Sequence, residues 1–141
     1  MPRAIRSLLL AAGALAMVAA AELPRSPAPK DAELYFIAPK DGETTTSPVT
    51  VRFGLRGMGI APAGVAMENT GHHHLLIDAD LPPLNLPIPA DARHVHFGKG
   101  QTEAQLALAP GRHRLQLLLA DHLHIPHDPP VISKPIEIVV Q

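Results

Sequence analysis

The chain has 141 residues, 12 basic and 13 acidic side chains, and neither cysteine nor tryptophan. The near-zero charge gives no electrostatic footing for nucleic acid. The lack of cysteine excludes a disulfide framework, a thiol nucleophile and a cysteine-ligated blue-copper centre.

The chain opens with the layout of an export signal: basic Arg3 and Arg6, an apolar run from Leu8 to Ala20, and small residues Ala19, Ala20 and Ala21 before Glu22. The run is short for a bilayer-spanning helix, which needs ~20 residues. A signal peptide over 1–21, cleaved before Glu22, is therefore expected rather than a retained anchor, and no later segment offers a second span. Cleavage removes two basic residues and no acid, leaving a net charge of −3 with the histidines neutral. The remaining chain of ~120 residues can bury about two-thirds of its unfolded surface, enough for one core without disulfides.

Residues 22–32, with Pro24, Pro27 and Pro29, read as an extended polar linker. The domain itself is placed at 33–141. It starts with a β-prone run at 33–37 and a turn at Pro39-Lys40-Asp41-Gly42. In 48–55, Val49, Val51, Phe53 and Leu55 alternate with polar or small residues, as in a half-buried strand. Residues 56–71 form a Gly/Pro-rich loop carrying Met58 and Met67. A strand at 72–78 follows, with His73, Leu75 and Ile77 on one face and His72, His74, Leu76 and Asp78 on the other. The prolines of 79–93 oppose both helix and central strand. Further short strands are expected at 94–97, 102–108, 112–120 and 135–140, the third aligning His113, Leu115, Leu117 and Leu119. About seven short strands with turn signals and no helical periodicity predict an all-β, immunoglobulin-like antiparallel β-sandwich. If the 72–78 and 112–120 strands are antiparallel neighbours, the His72-His73-His74 triplet meets the 121–132 loop at one end of the sandwich.

Nine histidines are the chemistry-bearing feature. Residues two apart on a strand project to one side with Cα atoms ~6–7 Å apart, close enough for two imidazoles to share an ion at N–metal distances of ~2.0–2.1 Å. His72/His74, His94/His96 and His122/His124 have that spacing, and His124/His127 nearly so. Imidazoles suit zinc, copper or nickel rather than calcium or magnesium. Copper is favoured over zinc on intrinsic affinity, with Met58 and Met67 as available thioethers. A copper brace on the N-terminal amine is excluded, because Glu22 and not histidine would come first. Asp78, Asp91, Glu103, Asp121 and Asp128 are carboxylates that can orient imidazoles through their far nitrogen, although Asp128 before Pro129 fits a turn better. His113 reads as a core or rim histidine satisfied by a hydrogen bond. No serine stands in a nucleophile elbow, no His-Glu-x-x-His helix is present, and Gly98-Lys99-Gly100-Gln101-Thr102 falls short of a phosphate loop.

Gly57-Met58-Gly59, Pro62-Ala63-Gly64, Gly71 through Asp78, His96 through Glu103, and Asp121 through Ser133 together resemble the exported bacterial family catalogued as domain of unknown function 4399. The resemblance spans roughly residues 50–140. It implies a bacterial, periplasmic, exported domain and no particular reaction. Its motif blocks take in Met58, His72, His73, His74, His96, His124 and His127, and leave His94, His113 and His122 less characteristic.

The resulting expectation is a periplasmic metal-binding protein, copper before zinc, with ligands from His72, His74, His96, His124, His127 and Met58. His73, Asp78, Asp121 and Glu103 are the supporting residues, with His73 a buried, hydrogen-bonded brace. The alternatives are an envelope module that binds a protein or glycan without metal, and a metal-dependent enzyme with an open coordination position. The first reading is not an enzyme, and its partner is the metal ion, with neither nucleic acid nor a membrane anchor.

Overall fold

Where apolar side chains alternate along this chain, they become strands that share one core. A computed structural model describes residues 22–141, and the expected signal peptide lies outside the described residues. The strands are β1 (Glu33–Ala38), β2 (Thr44–Thr45), β3 (Val49–Arg56), β4 (Gly59–Ile60), β5 (Thr70–Ile77), β6 (His94–His96), β7 (Glu103–Leu106), β8 (Gly111–Ala120) and β9 (Ile136–Val140). All seven expected strands are present, and the described residues contain no helix. The two-residue β2 and β4 were not expected. Each pairs in parallel, with β9 and β5 respectively, and neither is long enough to carry an alternation pattern.

The strands form two open sheets. One is antiparallel with order β1-β3-β7. The other runs β2-β9-β8-β5, and the far edge of β5 carries both β4 and β6. The sheets share an apolar core in which Leu34, Val49, Val51, Phe53 and Leu106 meet Leu75, Ile77, Leu115, Leu117, Leu119, Ile136, Ile138 and Val140. Leu115, Leu117 and Leu119 are fully buried, each worth ~1.5–3 kcal/mol in apolar transfer. At Gly54, opposite Tyr35 in the register, a Cβ would come within 2.3 Å of the tyrosine ring, so the phenol covers a bare backbone.

In β5 every residue from Gly71 to Ile77 is buried, on both faces. Its inward face follows the predicted alternation: His73, Leu75 and Ile77 point between the sheets. On its outward side the 79–93 segment packs over the neighbouring β8 residues, while 126–132 bridges to the edge of β8. There Ile88, Leu118 and Ala120 form a second apolar cluster, with Leu84 and Ile132 packed on it. The proline-rich stretch that can be neither helix nor central strand thus serves as a lid over the sheet.

Residues 22–32 bridge to the domain at Pro27, turn at Lys30-Asp31, and are not a detached linker. Ala28 N–H donates to the Asp128 carbonyl (3.1 Å), and Asp128 N–H donates to the Ser26 carbonyl (3.0 Å). Proline composition does not reveal that this stretch has a neighbour with free backbone groups. No helix among the described residues is long and apolar enough to cross a membrane.

Candidate metal centre

The outward face of β5 carries His72 and His74, two residues apart and both essentially without exposure. β6 pairs antiparallel with β5 so that His96 lies opposite His74. β8 pairs on the other side with Ala120 opposite His72, so the loop leaving β8 starts beside the triplet and delivers His124. The expected antiparallel neighbour relation between the two strands is therefore present, and it brings the triplet and the loop together.

His72, His74, His96 and His124 each offer a ring nitrogen, with none of the four farther than 4.8 Å from another. Ring centroids lie 4.8 Å apart for His72–His74, 5.0 Å for His72–His96 and for His72–His124, and 4.7 Å for His96–His124. His72 Nε2 and His124 Nδ1 are 3.2 Å apart and share one hydrogen. Two nitrogens bound tetrahedrally to one ion at ~2.0–2.1 Å stand ~3.3–3.4 Å apart. That pair is already at ligand spacing, and the nitrogens of the other two lie within 4.8 Å of it. His72 and His74 form the buried floor, while His96 is exposed and leaves the group reachable from solvent.

Electrostatics favour neutral rings. Burial, and then repulsion from His124 and His96, lowers the His72 pKa to about 4. Burial and the surrounding imidazoles lower His74 to about 2, and burial with His124 also lowers His96. At neutral pH the lone pairs of these three rings are free of protons, the state in which imidazole binds metal. His72 Nδ1 and His74 Nδ1 are buried without a hydrogen-bond partner, so no carboxylate orients these rings through the far nitrogen.

Local backbone explains how the other two rings arrive. A Cβ at Gly98 would fall 2.2 Å from His96 Cε1 and 2.5 Å from Nε2, so the imidazole lies directly over the glycine. His124 has φ of 65°, in the left-handed region. Asp121 frames it: Oδ1 accepts from Leu123 N (2.9 Å) and Ile125 N (3.1 Å), and the Asp121 carbonyl accepts from His124 N (2.9 Å). Burial pushes the Asp121 carboxyl up, but the Ser26 hydroxyl and these amides outweigh it and hold the pKa below the ordinary value.

The remaining expected residues lie elsewhere. His127 is buried outside the quartet. Its Nε2 donates to the Thr70 carbonyl (3.0 Å) and its ring rests on Gly71, bracing the start of β5. Met58 packs against the inter-sheet core. His73 is buried in that core as expected, but neither ring nitrogen has a hydrogen-bond partner. It packs on Phe53 with centroids 4.9 Å apart, so it braces by packing and not by hydrogen bonding. Asp78 sits at the far end of β5, accepting from His113 Nδ1 (2.7 Å) and Arg114 N (2.8 Å). His113 also donates to the Ala109 carbonyl, which with Asp78 raises its pKa. Glu103 pairs with Arg52 at 2.6 Å on the exposed side of the small sheet. Asp91 accepts from His94 Nδ1 (2.8 Å) and Asp128 pairs with Arg25, neither with a quartet ring. Asp121 supports the quartet through backbone amides rather than an imidazole nitrogen. Gly98 was missed as a site residue. Its only signal was a glycine two residues after a histidine, which also reads as an ordinary turn.

A family model described as "Domain of unknown function (DUF4399)" matches residues 51–141, the family that the sequence motifs resemble. No curated protein matches the chain, and no solved structure does.

Proposed function

Because this chain belongs to the DUF4399 family, whose description assigns no reaction, we propose its function from the imidazole group itself: a protein that binds one transition-metal ion at His72, His74, His96 and His124. The observation that carries this reading is the gathering of four ring nitrogens within 4.8 Å from three separate chain segments. Buried imidazoles crowded together repel when protonated and leave polar atoms unsatisfied when neutral, so without a ligand the arrangement is costly. An ion at the facing nitrogens supplies one shared charge in place of competing protons, while the far Nδ1 atoms of His72 and His74 stay without a partner.

Copper is the ion proposed first and zinc second. All-imidazole donor sets accept either, and copper(II) binds such sets more tightly. Met58 packs against the inter-sheet core, so the preference for copper here rests on imidazole affinity alone. The same reading takes residues 1–21 as a cleaved signal peptide, the periplasm as the location and the fold as immunoglobulin-like. The basic-apolar-small pattern of 1–21 and the two open sheets around one core support it.

Isothermal titration of residues 22–141 with Cu(I), Cu(II) and Zn(II) tests the proposal. One ion should bind with micromolar or tighter affinity, and a His96→Ala/His124→Ala double variant should lose it. Millimolar binding, or binding unchanged in the double variant, rules the site out.

A further inference from the structure

The residue that completes the quartet is the one least secured by the sheets. His72, His74 and His96 stand on paired strands. His124 stands on a short loop, in a left-handed conformation that a non-glycine residue keeps only when its surroundings impose it. Among the described residues its ring has one hydrogen-bond contact, to His72.

The surroundings that impose it reach back to the start of the described chain. Asp121, with 3% exposure, is a buried charge that needs every donor it has. Its Oδ1 is satisfied by the amides flanking His124. Its Oδ2 accepts from Ser26 Oγ at 2.7 Å, across 95 positions of sequence. Beside Ser26, Arg25 donates to the carbonyl oxygens of Pro126 (3.0 Å) and His127 and pairs with Asp128 at 3.7 Å. Residues 26–28 exchange two backbone hydrogen bonds with Asp128. From the other side, Ile88 N–H donates to the His124 carbonyl at 2.9 Å.

We infer that residues 25–28 are a latch on the metal site, with Ser26 and Asp121 as positioning residues that hold His124 in ligating place. The inference rests on the quartet being the metal site proposed above. Without the Ser26 hydroxyl, Asp121 Oδ2 loses its donor and the loop gains access to conformations in which the His124 ring leaves the group. The site then passes from four imidazoles to three with an open position. The strap thereby sets how firmly an ion is held.

The test uses copper(II) as the probe, competition titration for affinity, and electron paramagnetic resonance for the number of coordinated nitrogens. Wild type should take one ion with four imidazole nitrogens. Ser26→Ala should bind roughly tenfold more weakly, the scale of one charge-assisted hydrogen bond, and its spectrum should move toward that of His124→Ala. Ser26→Thr should restore both. The Ser26→Ala/His124→Ala variant should bind no more weakly than His124→Ala alone, because the latch acts through that ring. A Ser26→Ala protein that melts earlier but keeps wild-type affinity and spectrum overturns the latch, as does a further loss in the double variant equal to that in wild type. Both of those results leave wild-type binding intact. Absence of copper binding by wild type instead overturns the metal site, and the latch with it.

Discussion

His74 and His96 face each other across the β5–β6 pair, their ring centroids 5.1 Å apart, one essentially buried and the other exposed. This relation makes a site that is anchored on one side and open on the other. In the proposed site His74 would supply a ligand fixed by the sheet, and His96 one that solvent and an arriving ion can reach.

The buried member should be the harder to replace. His74→Phe keeps the volume and removes the donor. Because His74 Nδ1 has no hydrogen-bond partner, the metal-free domain should stay folded. Copper affinity should fall by more than about 100-fold, the upper range for residues that merely support a ligand. Circular dichroism and a competition titration on the same sample check both halves.

Gly98→Ala separates placement from donor identity. The added methyl meets the far end of the His96 side chain rather than backbone, so the ring swings away while the fold is kept. Affinity should drop roughly 10–100-fold, as for other changes that misplace a ligand, with little change in the thermal midpoint.

Acid should destabilise the metal-free domain within a definite window. His72 and His73 are lowered to about 4 from an ordinary value of 6.5. Above pH 6.5 both states are neutral there and stability is unaffected. Below it the unfolded chain takes up protons that the folded one refuses, so stability falls until pH approaches 4. His73, lowered by burial alone, contributes a loss on the order of 3 kcal/mol at the bottom of that window. Urea melts at pH 7, 5.5 and 4.5 should show a declining midpoint. A midpoint flat across that range contradicts the burial of these rings.

His73→Leu should raise the stability of the metal-free domain by about 1–3 kcal/mol, because an apolar side chain replaces a buried ring with two unsatisfied nitrogens. It should also flatten part of the acid response and leave copper affinity near wild type, since His73 faces the opposite side of β5. Thermal melts and titration of that variant check this, and a loss of copper binding would show His73 acting on the site.

The legible part of the site was the part carried by strand alternation. Period two separates His73 from His72 and His74 without any coordinates, and it marks Leu115, Leu117 and Leu119 as core. Pairing of β5 with β8 entered the sequence reading only as a condition; the structure has it, and it brings His124 near. His127 was not separable from His124 by sequence, because a loop has no period. Only the Asp121 turn, with its left-handed residue, sends one ring to the quartet and the other to Thr70. Burial of His72 and His74 was equally hidden. It depends on the proline-rich 79–93 segment folding back over the sheet, a long-range contact that no local pattern encodes. Ser26 read as one polar residue among prolines, and its partner Asp121 lies 95 positions away.

The central claim is that four imidazoles from three chain segments hold one ion. X-ray absorption at the copper edge, on residues 22–141 loaded with one equivalent of copper(II), measures it most directly. A single ion should show a shell of four imidazole nitrogens near ~2.0 Å, with collapse of that shell in His72→Ala/His74→Ala. A shell of water and carboxylate oxygens, or an imidazole shell unchanged in that double variant, would contradict it.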